Sequence, residues 1–123
     1  MNNQGPDYWL FFYLRDKIEL LKLRNRRKNF KNQKISIQKL YDIYSHGLCF
    51  YCSKKCIVEI IDQSHNKLKH NSATVDRVDP LIGYDDSNIV LACHKCNNKK
   101  SRKDQQIVEN FREDMRAAHK RLD

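Results

Sequence analysis

Residues 73–101 read ATVDRVDPLIGYDDSNIVLACHKCNNKKS, and this stretch decides the fold of the chain. It contains two short runs, 73–78 and 89–93, that are rich in Val, Ile and Thr. The segment between the runs carries Pro80, Gly83 and three aspartates. Runs of this kind, bounded by Gly and Pro, are typical of β-strands. We therefore predict a hairpin with a long loop, followed by a helix.

The composition limits the class of protein. A chain of 123 residues forms one domain, with a core small enough to gain stability from a bound metal. Lys and Arg number 24 against 15 Asp and Glu, which gives a net charge of +9 and favours nucleic acid as the partner. A basic membrane-surface protein is disfavoured, because no long helix carries Lys and Arg along a whole face.

The N-terminus and the hydropathy pattern predict a soluble, intracellular protein. The first residues, MNNQGPD, lack the charged and apolar regions of a secretory signal. The longest uncharged apolar run, 8–14, is too short to cross a bilayer. We expect a cytoplasmic or phage-encoded protein without a membrane partner. In a reducing compartment, its five cysteines favour metal ligation over disulfides.

Two Cys-x-x-Cys pairs, Cys49 with Cys52 and Cys93 with Cys96, predict one structural Zn²⁺ site. Four thiolates complete a tetrahedron and leave no position for substrate, so the site would serve to orient the helix that follows. The gap between the pairs exceeds the usual zinc-ribbon spacing, which the predicted hairpin explains. A thioredoxin-like redox pair is the alternative, but its βαβ setting is missing. Cys56 is predicted to be a small buried residue, although it could replace Cys52.

Three other segments have helical patterns. Apolar residues recur at intervals of three and four along 8–23, which predicts an amphipathic helix. Ser36 is a suitable N-cap for a helix over 37–45, and Gly47 is suited to end it. The apolar residues of 104–122 form one helical stripe, so we expect this closing helix to pack on the core or on a second subunit.

These elements predict a small α+β protein with one domain over 1–123. Segment 48–101 would form the core and 8–46 a basic helical N-terminal extension. Residues 56–62 (CIVEIID) predict an additional strand, followed by a polar loop over 63–72.

Basic residues without any intervening acid fill the segment 22–34. Such a run is either a solvated linker or a set of phosphate contacts that bind DNA without reading its sequence. We favour phosphate contact, and we expect the basic residues after the second Cys-x-x-Cys pair to take part. The predicted nucleic-acid contacts are Arg24, Arg26, Arg27, Lys28, Lys31, Lys99, Lys100 and Arg102.

Residues 48–101 resemble the HNH, or ββα-metal, endonuclease family. The matching motifs are Cys49-Phe-Tyr-Cys52, Thr74-Val-Asp76-Arg77-Val-Asp-Pro80, Gly83-Tyr84, Asn88-Ile-Val and Cys93-His-Lys-Cys96-Asn97-Asn-Lys-Lys100. The resemblance implies a zinc-stabilised ββα-metal core with flanking N- and C-terminal helices. It also implies metal-dependent hydrolysis of phosphodiester bonds in double-stranded DNA.

At the matching positions, the resemblance assigns Asp76 and Asn97 as ligands of one catalytic Mg²⁺ or Mn²⁺ ion. Two oxygen ligands would leave most of the coordination sphere to water and phosphate. Such an ion can stabilise the leaving 3′-oxygen. Considered separately, the two residues could also be a turn residue and a helix cap.

The chain departs from the commonest family pattern at Arg77, where most members have a histidine as general base. Arginine cannot accept a proton, but its planar fork can bind the scissile phosphate. This change, with Asn97 in place of the usual final histidine, resembles the PacI type of restriction enzyme and many phage HNH proteins. In that variant a loop tyrosine is implicated as base or nucleophile, a role that would fall to Tyr84, which could otherwise be a packed aromatic. Asn88 matches the position that usually braces the loop.

The implied activity is nicking or double-strand cleavage of DNA. A double-strand cut would need two active sites and therefore a homodimer. The alternative is a catalytically inactive, zinc-stabilised module that binds nucleic acid.

Overall fold

The computed structural model describes residues 8–58 and 69–122 of the chain. These ranges contain three helices and one sheet of two strands, which confirms a small α+β protein. In chain order the elements are α1 (Tyr8–Arg27), α2 (Ile37–His46), β1 (Ala73–Arg77), β2 (Ile89–Cys93) and α3 (His94–Leu122).

The predicted hairpin is confirmed. β1 and β2 are antiparallel, with Ala73 opposite Cys93 and Val75 opposite Leu91. β1 ends at Arg77, one residue earlier than predicted. The register places Cys93 at the end of β2, directly before α3 begins, so the sheet delivers the second cysteine pair to the start of that helix.

The core lies between the sheet, α1 and α2. Leu14 and Leu21 of α1 and Leu40 of α2 are fully buried, and Val75 and Leu91 cover them from the sheet. α1 was predicted to end at residue 23, but it continues to Arg27. The reason is a tertiary contact: Asn25, in the last turns of α1, is buried and makes hydrogen bonds to a distant part of the chain. Local helix propensity does not include such a contact.

α2 has the predicted caps. The side chain of Ser36 accepts a hydrogen bond from the backbone N–H of Lys39 at 3.1 Å. Gly47 adopts the left-handed conformation, with φ of 75°, and its N–H donates to Ile43 O. A residue with a side chain would be strained at that φ, so Gly47 ends the helix as predicted.

α3 differs from the expected separate closing helix, because it is continuous over 29 residues from His94. A helix of that length spans about 44 Å, whereas strands of five residues span about 17 Å. The sheet therefore cannot cover all of α3. The predicted apolar stripe includes Ile107, Phe111 and Met115, which are 44–49% exposed. Among these described side chains of the stripe, packing on the core is not found, and packing on a second subunit stays a prediction.

The strand predicted over 56–62 lies mainly outside the described residues, as does most of the loop over 63–72. In the described part, Ile57 forms an isolated parallel bridge with Ser72. Within residues 8–58 and 69–122, no helix combines the length and the apolar character needed to cross a membrane.

Candidate metal centre and adjacent polar cavity

The four predicted zinc ligands lie together. The sulfur atoms of Cys49, Cys52, Cys93 and Cys96 are all within 4.8 Å of one another. Tetrahedral zinc with Zn–S bonds of about 2.3 Å places its sulfurs about 3.8 Å apart, and the Cys52 and Cys93 sulfurs are 3.9 Å apart. A disulfide would require about 2.05 Å. The cluster is therefore positioned to hold a metal ion, and its geometry fits structural zinc.

Short backbone interactions shape both halves of the cluster. In the first pair, the N–H of Tyr51 points at Cys49 Sγ at 3.4 Å. In the second pair, the N–H of Cys96 points at Cys93 Sγ at 3.5 Å. The N–H of Phe50 donates to Leu91 O at 2.8 Å, which joins the first pair to β2. Donors of this kind stabilise thiolates, which are the form that binds metal.

The thiols differ in acidity. Burial raises the pKa of Cys49, but backbone N–H groups of Cys93, Cys52 and Tyr51 outweigh burial and lower the pKa to about 6. Burial, reinforced by hydrogen bonds within the cluster, raises the pKa of Cys96 to about 12. Metal binding must therefore displace protons from this cluster.

Cys56 is not part of the cluster. Its side chain is buried, as predicted, and its sulfur lies 4.0 Å from Lys54 O. Burial, together with the neighbouring cysteine thiolates, raises the pKa of Cys56 to about 11. Because Cys52 lies in the cluster and Cys56 does not, Cys52 is the fourth ligand candidate.

A polar cavity of about 410 Å³ lies beside the sheet, where the end of β1, the loop after it and α3 meet. Four of the residues that the sequence assigned to catalysis and metal binding line this cavity: Asp76, Arg77, Tyr84 and Asn97. Asn88, the fifth, does not line it. The tertiary structure thus brings together residues that are separated by up to 21 positions in the chain.

Asp76 is buried, and one of its carboxylate oxygens is already engaged. Oδ2 accepts a hydrogen bond from Tyr51 Oη at 2.5 Å and lies 3.3 Å from Lys100 Nζ. Burial, followed by this hydrogen bond, raises the pKa of Tyr51, which therefore remains a donor. Oδ1 of Asp76 has no hydrogen bond within the part of the chain that the structure describes.

Lys100 was predicted to face a phosphate, but its ammonium group points at protein oxygens instead. Nζ donates to Arg77 O at 2.7 Å and to Asp104 Oδ2 at 2.6 Å, in addition to its contact with Asp76. Its side chain is only 16% exposed. Lys100 therefore contacts two carboxylates of the cavity and offsets one of their two negative charges.

Asn97 lies in the first turns of α3, directly after Cys96. Its Nδ2 donates to Thr74 Oγ1 at 2.9 Å, and that hydroxyl donates to Ala92 O at 2.7 Å. The amide nitrogen is thus turned toward the sheet. Its oxygen makes no hydrogen bond to a described residue, and Asn97 lines the cavity.

The Arg77 guanidinium contacts two aromatic rings. Its Cζ is 5.2 Å from the ring centroid of Tyr84 and 5.7 Å from that of Phe30. Nη1 donates to Pro80 O at 3.2 Å. Cation–π contacts hold the planar group in place without neutralising it, so Arg77 keeps its charge for an anion.

Asn88 supports the loop from inside. Its Oδ1 accepts from the N–H of Asp79 at 2.9 Å, and its Nδ2 donates to the carbonyl oxygens of Asp79 and Gly83 at 3.0 and 3.1 Å. The residue is buried. Its role in the structure is therefore to fix the loop that carries Tyr84.

Asn25 of α1 is a site residue that sequence reasoning missed. Its Nδ2 donates to Tyr84 O at 2.9 Å, and its Oδ1 accepts from Tyr84 N at 2.8 Å. A Cβ on Gly83 would lie 2.7 Å from Asn25 Oδ1, so only glycine fits there. Asn25 continues the buried spacing of Leu14 and Leu21 along α1, and a polar residue in that stripe was the available signal.

The basic segment 22–34 is not a flexible linker. Its first part belongs to α1, and the N–H of Lys34 donates to Asp85 Oδ1 at 2.7 Å. Arg24 lies 6.0 Å from the Tyr84 ring centroid, and Lys28 lines the cavity. Exposed side chains complete the predicted set: Arg26, Arg27, Lys31, Lys99 and Arg102.

Lys99 and Arg102 lie apart from that cavity. They line a separate depression on α3, together with His70, His94 and Lys95. The predicted basic residues therefore do not form one contact set, because Arg24 and Lys28 belong to the cavity and these two do not.

No family model, curated protein or solved structure matches this chain. Interpretation of its function therefore depends on the cysteine cluster and on the residues of the cavity.

Proposed function

We propose that this chain is a metal-dependent DNA endonuclease of the HNH, or ββα-metal, type, with Zn²⁺ at the cysteine cluster. One observation carries the proposal: Asp76 from β1 and Asn97 from α3 line the same polar cavity as Arg77 and Tyr84. A carboxylate, an amide, an arginine and a phenol around one cavity provide metal ligands, a phosphate contact and a proton-transfer group.

The cysteine cluster would set the geometry of that cavity. Cys93 ends β2 and Cys96 directly precedes Asn97, so a zinc ion would fix the start of α3 relative to the sheet. Asp76 lies on the neighbouring strand, opposite Val90. Zinc would therefore act on the reaction only through the position of Asn97 relative to Asp76.

Carboxylate and amide oxygens suit a hard ion such as Mg²⁺ or Mn²⁺. Asp76 Oδ1 and the Asn97 amide oxygen have no other partner among the described residues and fit this role. When bound, the ion would neutralise charge on the phosphate and on the leaving 3′-oxygen. Asp104 also lines the cavity and offers a further carboxylate.

The remaining residues would bind and orient the substrate. Arg77, in cation–π contact with two rings, would bind the non-bridging oxygens of the scissile phosphate. Tyr84, whose backbone is held by Asn25, would transfer the proton of the attacking water or attack phosphorus itself. Hydrolysis breaks the P–O3′ bond, adds hydroxide to phosphorus and leaves a proton on the 3′-oxygen. If Tyr84 attacks, its Oη first bonds to phosphorus as O3′ leaves, and water then breaks the P–Oη bond.

Plasmid cleavage tests the proposal. Zinc-loaded protein should convert supercoiled DNA to nicked or linear forms with Mg²⁺ or Mn²⁺. Asp76→Ala and Asn97→Ala should lose this activity. Asp114→Ala and Asn110→Ala, on the exposed part of α3, make the same chemical changes and should retain it. Cleavage by Asp76→Ala at the wild-type rate would show that Asp76 is not a ligand of the catalytic metal.

The second candidate is a zinc-stabilised nucleic-acid-binding module without catalysis. The position of Lys100 favours it, because an ammonium group already contacts both Asp76 and Asp104. Electron paramagnetic resonance of Mn²⁺ added to zinc-loaded protein separates the two candidates. Saturable binding that Asp76→Ala abolishes supports the nuclease, and DNA binding without Mn²⁺ binding or cleavage supports the module.

A further inference from the structure

Three cations from distant parts of the chain meet at the cavity. Lys28 lies in the turn directly after α1, Arg77 ends β1, and Arg112 lies in the middle of α3. All three line the cavity, and the side chains of Lys28 and Arg112 are exposed to solvent. Arg112 lies outside the segment 48–101 and was not among the predicted contacts.

None of these cations is neutralised by the acids of the cavity. Asp76 and Asp104 are both in ion pairs with Lys100, and Glu109 lies 3.8 Å from Arg116. Among the described residues, no carboxylate lies within ion-pair distance of Lys28, Arg77 or Arg112. With Lys100, these residues bring four positive charges against the three negative charges of Asp76, Asp104 and Glu109, and the charges without an ion-pair partner are those of the three cations.

The three cations also repel one another. Burial, followed by the charges of Arg77, Arg112 and Arg24, lowers the pKa of Lys28. Like charges placed together without a partner cost free energy in the free protein, and a bound polyanion relieves that cost. An arrangement of this kind is typical of a phosphate-binding site.

We infer that Lys28, Arg77 and Arg112 form a phosphate-binding site, in which Lys28 and Arg112 hold the DNA phosphate next to the one that Arg77 binds. The inference rests on the proposed function, since it places the scissile phosphate at Arg77. Lys28 and Arg112 are positioning residues, one from the turn after α1 and the other from α3. They hold the backbone in register with Asp76 and Asn97 and do not read its sequence.

The test is binding of a fluorescently labelled DNA duplex to zinc-loaded protein without Mg²⁺ or Mn²⁺, over a series of salt concentrations. Each of Lys28→Gln and Arg112→Gln should weaken binding severalfold and lower the slope of log affinity against log salt by about 0.9. Lys28→Arg and Arg112→Lys keep the charge and should restore the slope. Arg15→Gln and Lys120→Gln are the matched controls, because they remove exposed charges elsewhere on α1 and α3.

A slope unchanged in both Gln variants, or lowered equally in the controls, overturns the inference. Inorganic phosphate separates the two sources of this anion. If phosphate binds to the wild type and not to the Gln variants, while their DNA affinity is unchanged, the site takes free phosphate and the inference is wrong.

Failure of the inference and failure of the nuclease proposal are distinguishable. If the wild type cleaves plasmid but the Gln variants bind and cleave DNA normally, the nuclease proposal stands and the phosphate site does not. If nothing cleaves but the slopes fall as expected, the phosphate site stands and belongs to a binding module.

Discussion

Replacement of Asn25 tests whether α1 supports the candidate site. The Asn25 side chain makes two hydrogen bonds to the backbone of Tyr84, at 2.8 and 2.9 Å, and is only 7% exposed. Asn25→Ala leaves the Tyr84 N–H and C=O without these partners. An unsatisfied buried group costs about 1–3 kcal/mol, and Tyr84 is half-buried, so the lower half of that range applies to each group.

The expected loss is therefore about 2–4 kcal/mol before helix propensity is considered. Alanine is the better helix former by about 0.5 kcal/mol, which leaves a net loss of about 1.5–3.5 kcal/mol. Urea unfolding of zinc-saturated protein measures this loss. Asn110→Ala is the matched control, because Asn110 is an exposed residue within α3 and receives the same gain in propensity.

A second pair of variants resolves the contact further. Asn25→Asp keeps the acceptor for Tyr84 N but cannot donate to Tyr84 O, so it should lose stability through one of the two bonds. Gly83→Ala places a Cβ 2.7 Å from Asn25 Oδ1 and 2.9 Å from Phe30, and such overpacking costs about 1–3 kcal/mol. This cost should be smaller in the Asn25→Ala background. If Asn25→Ala is as stable as Asn110→Ala within about 0.5 kcal/mol, Asn25 does not hold the loop.

Three further predictions concern the cysteine cluster, Lys100 and α3. Because the pKa values of Cys93 and Cys96 are raised, zinc binding near neutral pH must release at least their two protons. Zinc affinity should therefore fall at least about 100-fold per unit decrease in pH, measured by competition with a chelator of known pH dependence. A pH-independent affinity would contradict this protonation state. Lys100→Met removes the ammonium group that contacts the carboxylates of Asp76 and Asp104, so Mn²⁺ should bind more tightly in electron paramagnetic resonance titrations. Weaker Mn²⁺ binding would show that Lys100 supports the site instead. If the exposed apolar stripe of α3 packs on a second subunit, the double variant Phe111→Glu, Met115→Glu should convert a dimer to a monomer in analytical ultracentrifugation. A wild-type protein that is monomeric at all concentrations would contradict the predicted homodimer.

Local pattern was sufficient for the elements of the candidate metal centre. The Cys-x-x-Cys spacing, the β-branched runs of the hairpin and the caps at Ser36 and Gly47 each depend on interactions within a few residues, so the chain reveals them directly. The apolar pattern of the sequence was insufficient to predict the packing of α3. An apolar stripe indicates that one face of a helix can be buried, but it does not indicate which surface buries it. The HNH assignment and the roles of Asp76 and Asn97 stay predictions that the cavity supports by its lining.

The sequence by itself determined which residue types this protein can use: four thiols in two pairs, an Asp-Arg step at the end of a strand and an asparagine after the last cysteine. Only the tertiary structure decided their neighbours. It placed Asn25 on Tyr84, 59 residues away, brought Lys28 and Arg112 to one cavity and turned Lys100 toward Asp76. The physical reason is that these contacts depend on how α1 and α3 lie across the loop after β1. That orientation results from the packing of α1 in the core and from the start of α3 at the end of β2, and no periodicity within a short segment encodes it.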